Sequence, residues 1–401
     1  MPIDQAQLFD DVDDVLLLDD YQHFTATSDR SGLVGSDGLG FVLLGLFGEV
    51  GSLLSALKKK RRDKDAYLAY TDSVLEEFGD ALWYLANTAG RVGVRLSDLA
   101  SRATANSAAW NYHGLDVAQT FSHLQATKSV VASSSQAFET RLIELAARTG
   151  GVLDSFASGR TENNRDRLTA DLIEVFRALI RAADDADISL DVAAKRNIVK
   201  VEGRWPRERV WGPALDDGFP DEERLPRLMT FHVNERTVSG KTHVTLQLHG
   251  VTIGDRLTDN RRLNDDYRFH DIFHIAHAVF LGWSPTLRAL LKRKRKSNPS
   301  IDETEDGARA ILIEEGVSSW IFNHAERAQL FGSTTALDYG ILKSVQEFVH
   351  GYEVDTKPMW QWELAILEGF RVFRLLKEHR SGYVTANLDA HTLEFSVSPE
   401  A

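Results

Sequence analysis

The chain of 401 residues contains no cysteine, which excludes disulfides, thiolate nucleophiles and metal centres ligated by cysteine. It also contains no G-x-x-x-x-G-K-S/T or G-x-G-x-x-G loop, so neither a P-loop nor a Rossmann site is supported. The acidic start has no basic leader segment, and we find no apolar run of the roughly 18 residues needed to cross a bilayer. We therefore expect a cytoplasmic protein that does not interact with membranes.

Positive charge is in the minority, because 46 Lys and Arg stand against 59 Asp and Glu and give a net charge of −13. Such an acidic chain is not a general nucleic-acid binder, and any phosphate site must be local. The 43% of apolar residues and 26% of charged residues are typical of a globular protein. The length exceeds one ordinary core, which predicts several domains.

Helical periodicity dominates the first half of the chain. The clearest helices are predicted over Phe41–Leu57 and Asp72–Arg91, between a Gly- and Ser-rich loop over 29–40 and a basic break over 58–64. A further helix is predicted after Arg95, with Ser97 as its N-cap. The same plan recurs more faintly after residue 136, at an offset of about 94 residues, which predicts two helical repeats.

The second half of the chain changes period. Residues 230–233 and 243–248 alternate around Ser239-Gly240, which predicts a β-hairpin. Proline-rich residues 207–228 are interpreted as a linker. Four helices are predicted after the hairpin: Tyr267–Leu281, Thr286–Lys292, Glu305–Ala325 and Trp360–Arg380.

The predicted fold class is therefore mainly α, with a tandem helical bundle followed by an α+β domain that has a β-hairpin and a helical core. The expected domains are a helical unit at 1–125, a second, degenerate unit at 126–210 and a C-terminal α+β domain at 225–401.

Acidic side chains are concentrated on the two clearest helices. Glu49 lies on the first, and Glu76, Glu77 and Asp80 lie on the second, where residues three or four apart share a face. Clustered carboxylates repel one another unless a cation neutralises them, and Mg²⁺ prefers carboxylate oxygens. The pattern is compatible with a magnesium site, although a solvated acidic helix face is the more common result of such spacing.

The same segments resemble a known family. Tyr21-Gln22, residues 45–51 (GLFGEVG) and residues 76–85 (EEFGDALWYL) look like the MazG-like, all-α nucleoside triphosphate pyrophosphohydrolases, over about residues 15–110. The resemblance implies cleavage of an NTP or dNTP to the monophosphate and pyrophosphate, with Mg²⁺ or Mn²⁺ held by an ExxE and an ExxD pair. Glu77 and Asp80 match the second pair. Only Glu49 matches the first, because Ser52 replaces its second acid.

A degenerate second repeat, over about 136–206, supplies the basic part of the family pattern. Asn197, Lys200 and Arg204, followed by Trp205-Pro206, match the N-x-x-K-x-x-x-R-W/Y-P stretch with which family members help to bind the nucleotide. The first repeat lacks this Lys and Arg. The second repeat has Asp171 and Glu174 near the places of Glu77 and Asp80, but Thr149 near that of Glu49.

Since related enzymes are helical dimers, the resemblance implies one composite site across a fused pair. Glu49, Glu77 and Asp80 would be catalytic and hold the metal with support from Glu76, while the basic residues of the second repeat would contact the nucleotide. The alternative is that Lys200 and Arg204 form a solvated helix end that complements the helix dipole.

A second candidate site follows the hairpin. His270, His274 and His277 share a helix face next to Asp271, and Glu314 and Glu315 lie on a later predicted helix. Imidazole and carboxylate together suit a transition metal or an acid–base site. Three alternatives are a histidine cluster packed under aromatics, an HD-type phosphohydrolase whose other ligands are not identified, and a third, altered helical repeat.

The sequence leaves three functions open. The preferred one is a Mg²⁺-dependent nucleotide pyrophosphohydrolase with a nucleoside triphosphate as its partner, and homo-oligomers are compatible with it. The second is a nucleotide sensor that binds without turnover, because Ser52 replaces an acid. The third is metal-dependent phosphohydrolase chemistry at His270, Asp271 and His274.

Overall fold

The computed structural model describes residues 15–105, 120–126, 128, 131–160, 164–262 and 264–399. The chain divides into two compact units, Asp4–Trp205 and Pro206–Ala401. The N-terminal unit is mainly helical, whereas the C-terminal unit combines helices with a five-stranded sheet. The predicted fold class, mainly α with an α+β C-terminal part, is confirmed.

The N-terminal unit packs its helices around one hydrophobic core to which both repeats contribute. The helices are α1 (Leu18–Ser28), α2 (Gly35–Asp63), α3 (Tyr70–Val92), α4 (Leu96–Thr104), α5 (Gln136–Ala157), α6 (Arg165–Ala186) and α7 (Leu190–Arg204). Helix α2 packs against α3 and α5, α3 also packs against α7, and α5 packs against α6. Most of the buried positions recur every three or four residues, as expected for helices with one core-facing side.

Two glutamines show that the repeats share one local design. Gln22 donates to the carbonyl of Val94 over 2.9 Å and accepts from the backbone N–H of Leu96 over 3.0 Å. Gln125 makes the same pair of bonds, over 3.2 Å to the carbonyl of Ile188 and over 2.9 Å from the N–H of Leu190. Each glutamine thus satisfies the start of a helix whose first N–H groups have no partner within the helix.

The turns that precede these helices also match. Gly93 ends α3 with φ of 74°, and Asp187 ends α6 with φ of 59°. Both are in the left-handed region that closes many helices, where glycine is favoured and aspartate is tolerated. The two turns are 94 residues apart, which is the offset that the sequence predicts.

Helix α2 is longer than predicted. It begins at Gly35, inside the predicted loop, and continues through the basic run to Asp63. Cations favour the C-terminal end of a helix, so the basic run extends α2 instead of breaking it. The predicted N-cap is also wrong: Arg95 precedes α4, and Ser97 lies inside the helix, where its N–H and its hydroxyl both donate to Asp19.

The segment Gly35–Ala66 is also long and apolar enough to cross a membrane, by length and composition only. The sequence analysis did not identify this property. The core helix of a soluble protein meets the same criterion, and α2 contributes six buried residues, including Leu46 and Val50, to the N-terminal core.

The strands of the C-terminal sheet are β1 (Leu228–Val238), β2 (Lys241–Leu248), β3 (Val251–Leu257), β4 (Ser381–Asn387) and β5 (Thr392–Ser396). The sheet is antiparallel throughout, in the order β3–β2–β1–β4–β5. The predicted hairpin is present as β1 and β2, and Ser239 and Gly240 form its turn with positive φ at both residues. The sequence analysis missed the other three strands.

The helices of the C-terminal unit are α8 (Asp271–Leu281), α9 (Pro285–Leu290), α10 (Pro299–Thr304), α11 (Ala308–Arg327), α12 (Tyr339–Val349) and α13 (Met359–His379). Helix α8 is the centre of this unit, because its residues from Ile272 to Leu281 are all buried, and it packs against α13. The four predicted helices are present with shifted ends. Helix α12 and the short α10 were not predicted.

Residues 207–227 belong to the C-terminal unit, in contrast to the linker predicted over 207–228. Leu225 belongs to the C-terminal core, and its N–H donates to the buried carboxylate of Asp216. Arg288 on α9 donates to the same carboxylate over 2.8 Å. The segment therefore lacks regular helices and strands but is anchored by a buried ion pair.

Candidate active site

The predicted acids converge in the N-terminal unit. Glu49 lies on α2, and Glu77 and Asp80 lie on the adjacent α3. One carboxylate oxygen from each of these three residues lies within 4.8 Å of the other two. Three carboxylates at this spacing can bind one hard divalent cation, and the half-buried position limits competition from water.

Two glycines allow the helices around these acids to approach closely. A Cβ at Gly79 would lie 2.7 Å from the carbonyl oxygen of Ala193 and 3.1 Å from Cβ of Asn197, so this glycine sets the contact between α3 and α7. A Cβ at Gly45 would lie 2.2 Å from the ring of Tyr84, so this second glycine sets the contact between α2 and α3. Both glycines belong to the segments that resemble the MazG-like family.

Helix α7 of the second repeat brings two predicted residues to the acids. The ammonium group of Lys200 contacts both oxygens of Asp80 and lies 3.3 Å from Oε1 of Glu76. The amide of Asn197 donates to Oδ1 of Asp80 over 2.8 Å. Because Asp80 belongs to the first repeat, the site contains side chains of both repeats.

Tyr21 holds the side chain of Asn197 in this arrangement. Its buried hydroxyl donates to Oδ1 of Asn197 over 3.1 Å and also lies 3.3 Å from the carbonyl of Gly79. The amide of Asn197 is thereby oriented with its NH₂ group toward Asp80. Tyr21 thus positions the carboxylate of Asp80 through the side chain of Asn197.

Burial and repulsion between carboxylates raise the pKa values of the three acids, although Lys200 lies beside Asp80 and Glu76. Burial, a hydrogen bond with Glu49 and repulsion from the other acids raise the pKa of Glu77 to about 8. Burial and repulsion from Asp80 and Glu76 also raise the pKa of Glu49. Burial raises the pKa of Asp80 as well, although Lys200 opposes this shift. A divalent cation would remove the repulsion, so the donor set fits Mg²⁺.

Arg204 lies one helical turn beyond Lys200, and its guanidinium carbon is 4.2 Å from the ring centroid of Trp205. It is therefore on the same face of α7 as Lys200. Ser52 lies on α2 one turn after Glu49, where the family has a further acid.

The counterparts of the acids in the second repeat form no comparable cluster among the described residues. Thr149 is buried and donates its hydroxyl to the carbonyl of Leu145 in its own helix. Glu174 pairs with Arg177. In the described part of the chain the acidic half of the pattern is thus confined to the first repeat.

The residues of the second candidate site are also brought together in the C-terminal unit. The histidines lie on α8 and at its N-cap, His270, and the glutamates lie on α11. Donor atoms of His270, Asp271 and His274 lie within 4.8 Å of one another, and so do those of His274, His277 and Glu314. Oε1 of Glu314 lies 3.0 Å from Nδ1 of His274 and 3.2 Å from Nδ1 of His277. These two histidines hold the pKa of Glu314 well below its usual range despite its burial.

Comparison with known proteins gives a family match and a relative. A family profile described as "MazG C-terminal domain" matches residues 211–399, so the C-terminal unit is similar to such a domain. The "Gene 37 protein" of Mycobacterium phage L5 is 38% identical over 68 residues, which are 16% of this chain and 60% of the phage protein. No solved structure matches the chain. These matches support the MazG-like resemblance.

The sequence analysis missed two residues that organise the candidate active site. Tyr21 and Gln22 were noted only as part of the family resemblance, yet Tyr21 holds Asn197 and Gln22 fixes the start of α4. Their positions, more than 170 residues before Asn197 in the case of Tyr21, give no local signal of these contacts. The signal that could have found Gln22 is its recurrence as Gln125.

Proposed function

We propose that the N-terminal unit hydrolyses a nucleoside triphosphate to the monophosphate and pyrophosphate in a Mg²⁺-dependent reaction. The observation that carries the proposal is the contact of Lys200, from the second repeat, with Asp80, from the first, beside the carboxylates of Glu49 and Glu77. This arrangement combines in one place the acids that bind a cation and the ammonium group that favours phosphate oxygens.

Glu49, Glu77 and Asp80 would hold the cation, and Mn²⁺ suits the same oxygen donors. When bound, Mg²⁺ supplies positive charge that stabilises the charge developing on the triphosphate during hydrolysis. Glu49 and Glu77 share a hydrogen bond, and the raised pKa of Glu77 means that this pair retains a proton at neutral pH. Occupation of the site by a cation requires that proton to leave.

The remaining residues would position the site and the substrate. Asn197, held by Tyr21, fixes one oxygen of Asp80. Lys200 and Arg204, one turn apart on α7, would place positive charge where the triphosphate meets the acids. The reaction consumes one water and breaks the anhydride bond between the α- and β-phosphates, which yields the two products.

A nucleotide sensor is the second candidate function, and Ser52 is the observation that favours it. A hydroxyl at this position replaces a carboxylate that the family pattern contains, which lowers the negative charge available to the cation. Such a site could bind the nucleotide without turning it over.

The test is release of pyrophosphate and monophosphate from a panel of ribo- and deoxyribonucleoside triphosphates by the full-length chain with Mg²⁺. Glu77→Gln and Asp80→Asn should abolish release. Glu174→Gln, which changes the corresponding region of the second repeat, is the matched control and should retain it. A wild-type chain that binds nucleotides without releasing pyrophosphate would replace the enzyme proposal with the sensor. Loss of release in His274→Gln but not in Asp80→Asn would assign the chemistry to the C-terminal unit.

A further inference from the structure

We propose that the C-terminal unit contains a separate metal centre, in which His270, Asp271, His274 and Glu315 bind one divalent transition-metal ion. This inference does not depend on the proposed pyrophosphohydrolase, because none of the four residues belongs to the N-terminal unit. Its grounds are the spacing of the donor atoms, the outer contacts that orient the two imidazoles, and the burial of His274, whose nitrogens lack hydrogen bonds among the described residues.

Three of the four donors are close enough together to bind one ion. Donor atoms of His270, Asp271 and His274 lie within 4.8 Å of one another. Glu315 reaches the same place from α11, with Oε1 3.2 Å from Nε2 of His274 and Oε2 3.9 Å from Nε2 of His270. Ligand atoms that surround an ion tetrahedrally at about 2.0–2.2 Å are roughly 3.3–3.6 Å apart, so small side-chain adjustments complete the geometry.

The outer contacts of the two imidazoles leave Nε2 of each ring for coordination. Nδ1 of His270 lies 2.9 Å from the carbonyl oxygen of Tyr267. A carbonyl can only accept, so Nδ1 carries the proton and Nε2 retains its lone pair. Nδ1 of His274 faces Oε1 of Glu314, whose other oxygen accepts from the N–H of Thr286 over 2.9 Å. Carboxylates and carbonyls in these places are the usual outer partners of metal-binding histidines.

His274 is the side chain that most needs a further ligand. It is only 1% exposed, and its contacts with Glu314 and Glu315 lack hydrogen-bond geometry, so both ring nitrogens are without a hydrogen bond among the described residues. The hydroxyl of Ser318, on the same face of α11 as Glu314 and Glu315, is also buried without such a partner there. Buried polar groups of this kind are rare unless an ion or water completes them.

The donor set selects the class of metal. Two imidazoles and two carboxylates suit Zn²⁺, Mn²⁺ or Fe²⁺ better than Mg²⁺, which favours oxygen donors alone. The chain has no cysteine that could supply a thiolate. The side chain of Glu315 is 37% exposed, so the centre is accessible from solvent on that side, and a chelator should remove the metal from the folded protein.

The test is titration of chelator-treated, full-length protein with Co²⁺, followed by its visible absorption, together with the Zn²⁺ content of the protein after reconstitution and desalting. We expect one tightly bound ion per chain and a Co²⁺ band that His274→Gln abolishes. Glu315→Gln should weaken Co²⁺ binding at least 10-fold. His243→Gln, which removes a buried histidine on β2 outside the cluster, is the matched control and should bind as the wild type does.

Glu77→Gln keeps this test distinct from the N-terminal site, because it should leave the Co²⁺ band unchanged. Circular dichroism establishes that each variant is folded; if His274→Gln is not, the half-exposed Glu315→Gln carries the test. A wild-type protein without a Co²⁺ band, or Co²⁺ affinity that neither His274→Gln nor Glu315→Gln lowers in folded protein, would overturn the proposal.

Discussion

Lys200 contacts both carboxylate oxygens of Asp80 across 120 residues of sequence and thereby joins the two repeats of the N-terminal unit. The carboxylates of Asp80 and Glu76 raise the pKa of Lys200, although burial alone would lower it, so the ammonium form is retained. The pair is more than a surface ion pair, since Lys200 and Asp80 are each only about one-fifth exposed.

Lys200→Met should reduce turnover of the proposed reaction about 100-fold or more, because it removes a positive charge directed at the developing charge of the phosphates. In the metal-free protein the same change should raise the pKa of Asp80 and lower thermal stability, since two acids lose their partner. Steady-state kinetics and thermal unfolding measure these effects. Lys195→Met, which breaks only a pair with Asp191 on the same helix, should leave turnover unchanged. Equal losses in both variants would contradict the role of Lys200.

Tyr21→Phe should weaken the binding of Mg²⁺ while leaving turnover at saturating Mg²⁺ close to that of the wild type. The change deletes the hydroxyl that holds Asn197, so Asp80 is less well oriented, and a buried acceptor left unsatisfied costs about 1–3 kcal/mol. The measurement is the Mg²⁺ dependence of pyrophosphate release. Tyr67→Phe, which removes a bond to Ser73 away from the acids, is the control. Unchanged Mg²⁺ dependence in Tyr21→Phe would show that the hydroxyl does not position the site.

Gly79→Ala should destabilise the N-terminal unit by about 1–3 kcal/mol, as overpacking of a close contact does. The added methyl group would meet the backbone of Ala193 and force α3 away from α7. Turnover should fall too, because the acids and Lys200 lie on these two helices. Gly51→Ala on α2 meets nothing within 4 Å and should instead stabilise by about 0.5–1 kcal/mol, because alanine loses less entropy in a helix. Denaturant unfolding of both variants checks the opposite signs.

Glu305→Gln should remove a pH dependence from the stability of the C-terminal unit. Burial and repulsion from Glu353 raise the pKa of Glu305 from 4.5 to about 7 in the folded protein. Between these pH values the folded state holds a proton on Glu305 that the unfolded chain has released. The contribution of Glu305 to stability is therefore most favourable below pH 4.5 and becomes less favourable as the pH rises to 7. The carboxylate then destabilises the protein by about 1–3 kcal/mol above pH 7.

Glutamine at position 305 can still accept the N–H of Glu353 but carries no charge. The variant should therefore match the wild type near pH 4.5 and exceed its stability at pH 8. Denaturant unfolding at the two pH values measures the difference, and the exposed Glu303→Gln is the control. A wild-type advantage at pH 8 would contradict the raised pKa of Glu305.

The helices could be predicted because their apolar residues recur every three or four positions over long stretches. The missed strands carry weaker signals. Strand β4 faces the core with Gly382, Val384 and Ala386, of which only the valine is a typical strand residue, and its partner β1 lies about 150 residues earlier. Strand β3 is mostly exposed, so it shows no apolar alternation. Such strands are defined by pairing over long distances and not by local pattern.

The candidate sites divide in the same way. Helical spacing placed Glu77 and Asp80 on one face and the three histidines of α8 on another. It could not show that Glu314 reaches His274 and His277 from a separate helix, or that Lys200 reaches Asp80 from another repeat. Those contacts depend on how helices pack, which the family resemblance suggested for the N-terminal unit only.

The matching bonds of Gln22 and Gln125 have a consequence for stoichiometry. A dimer of identical subunits must carry every functional residue twice and so forms two equivalent sites, whereas two halves on one polypeptide can diverge. Here the second repeat, whose helix α7 starts at the bond to Gln125, has Thr149 where the first repeat has Glu49. One chain therefore offers a single complete set of acidic and basic groups, and a non-hydrolysable triphosphate should saturate the N-terminal unit at one molecule per polypeptide.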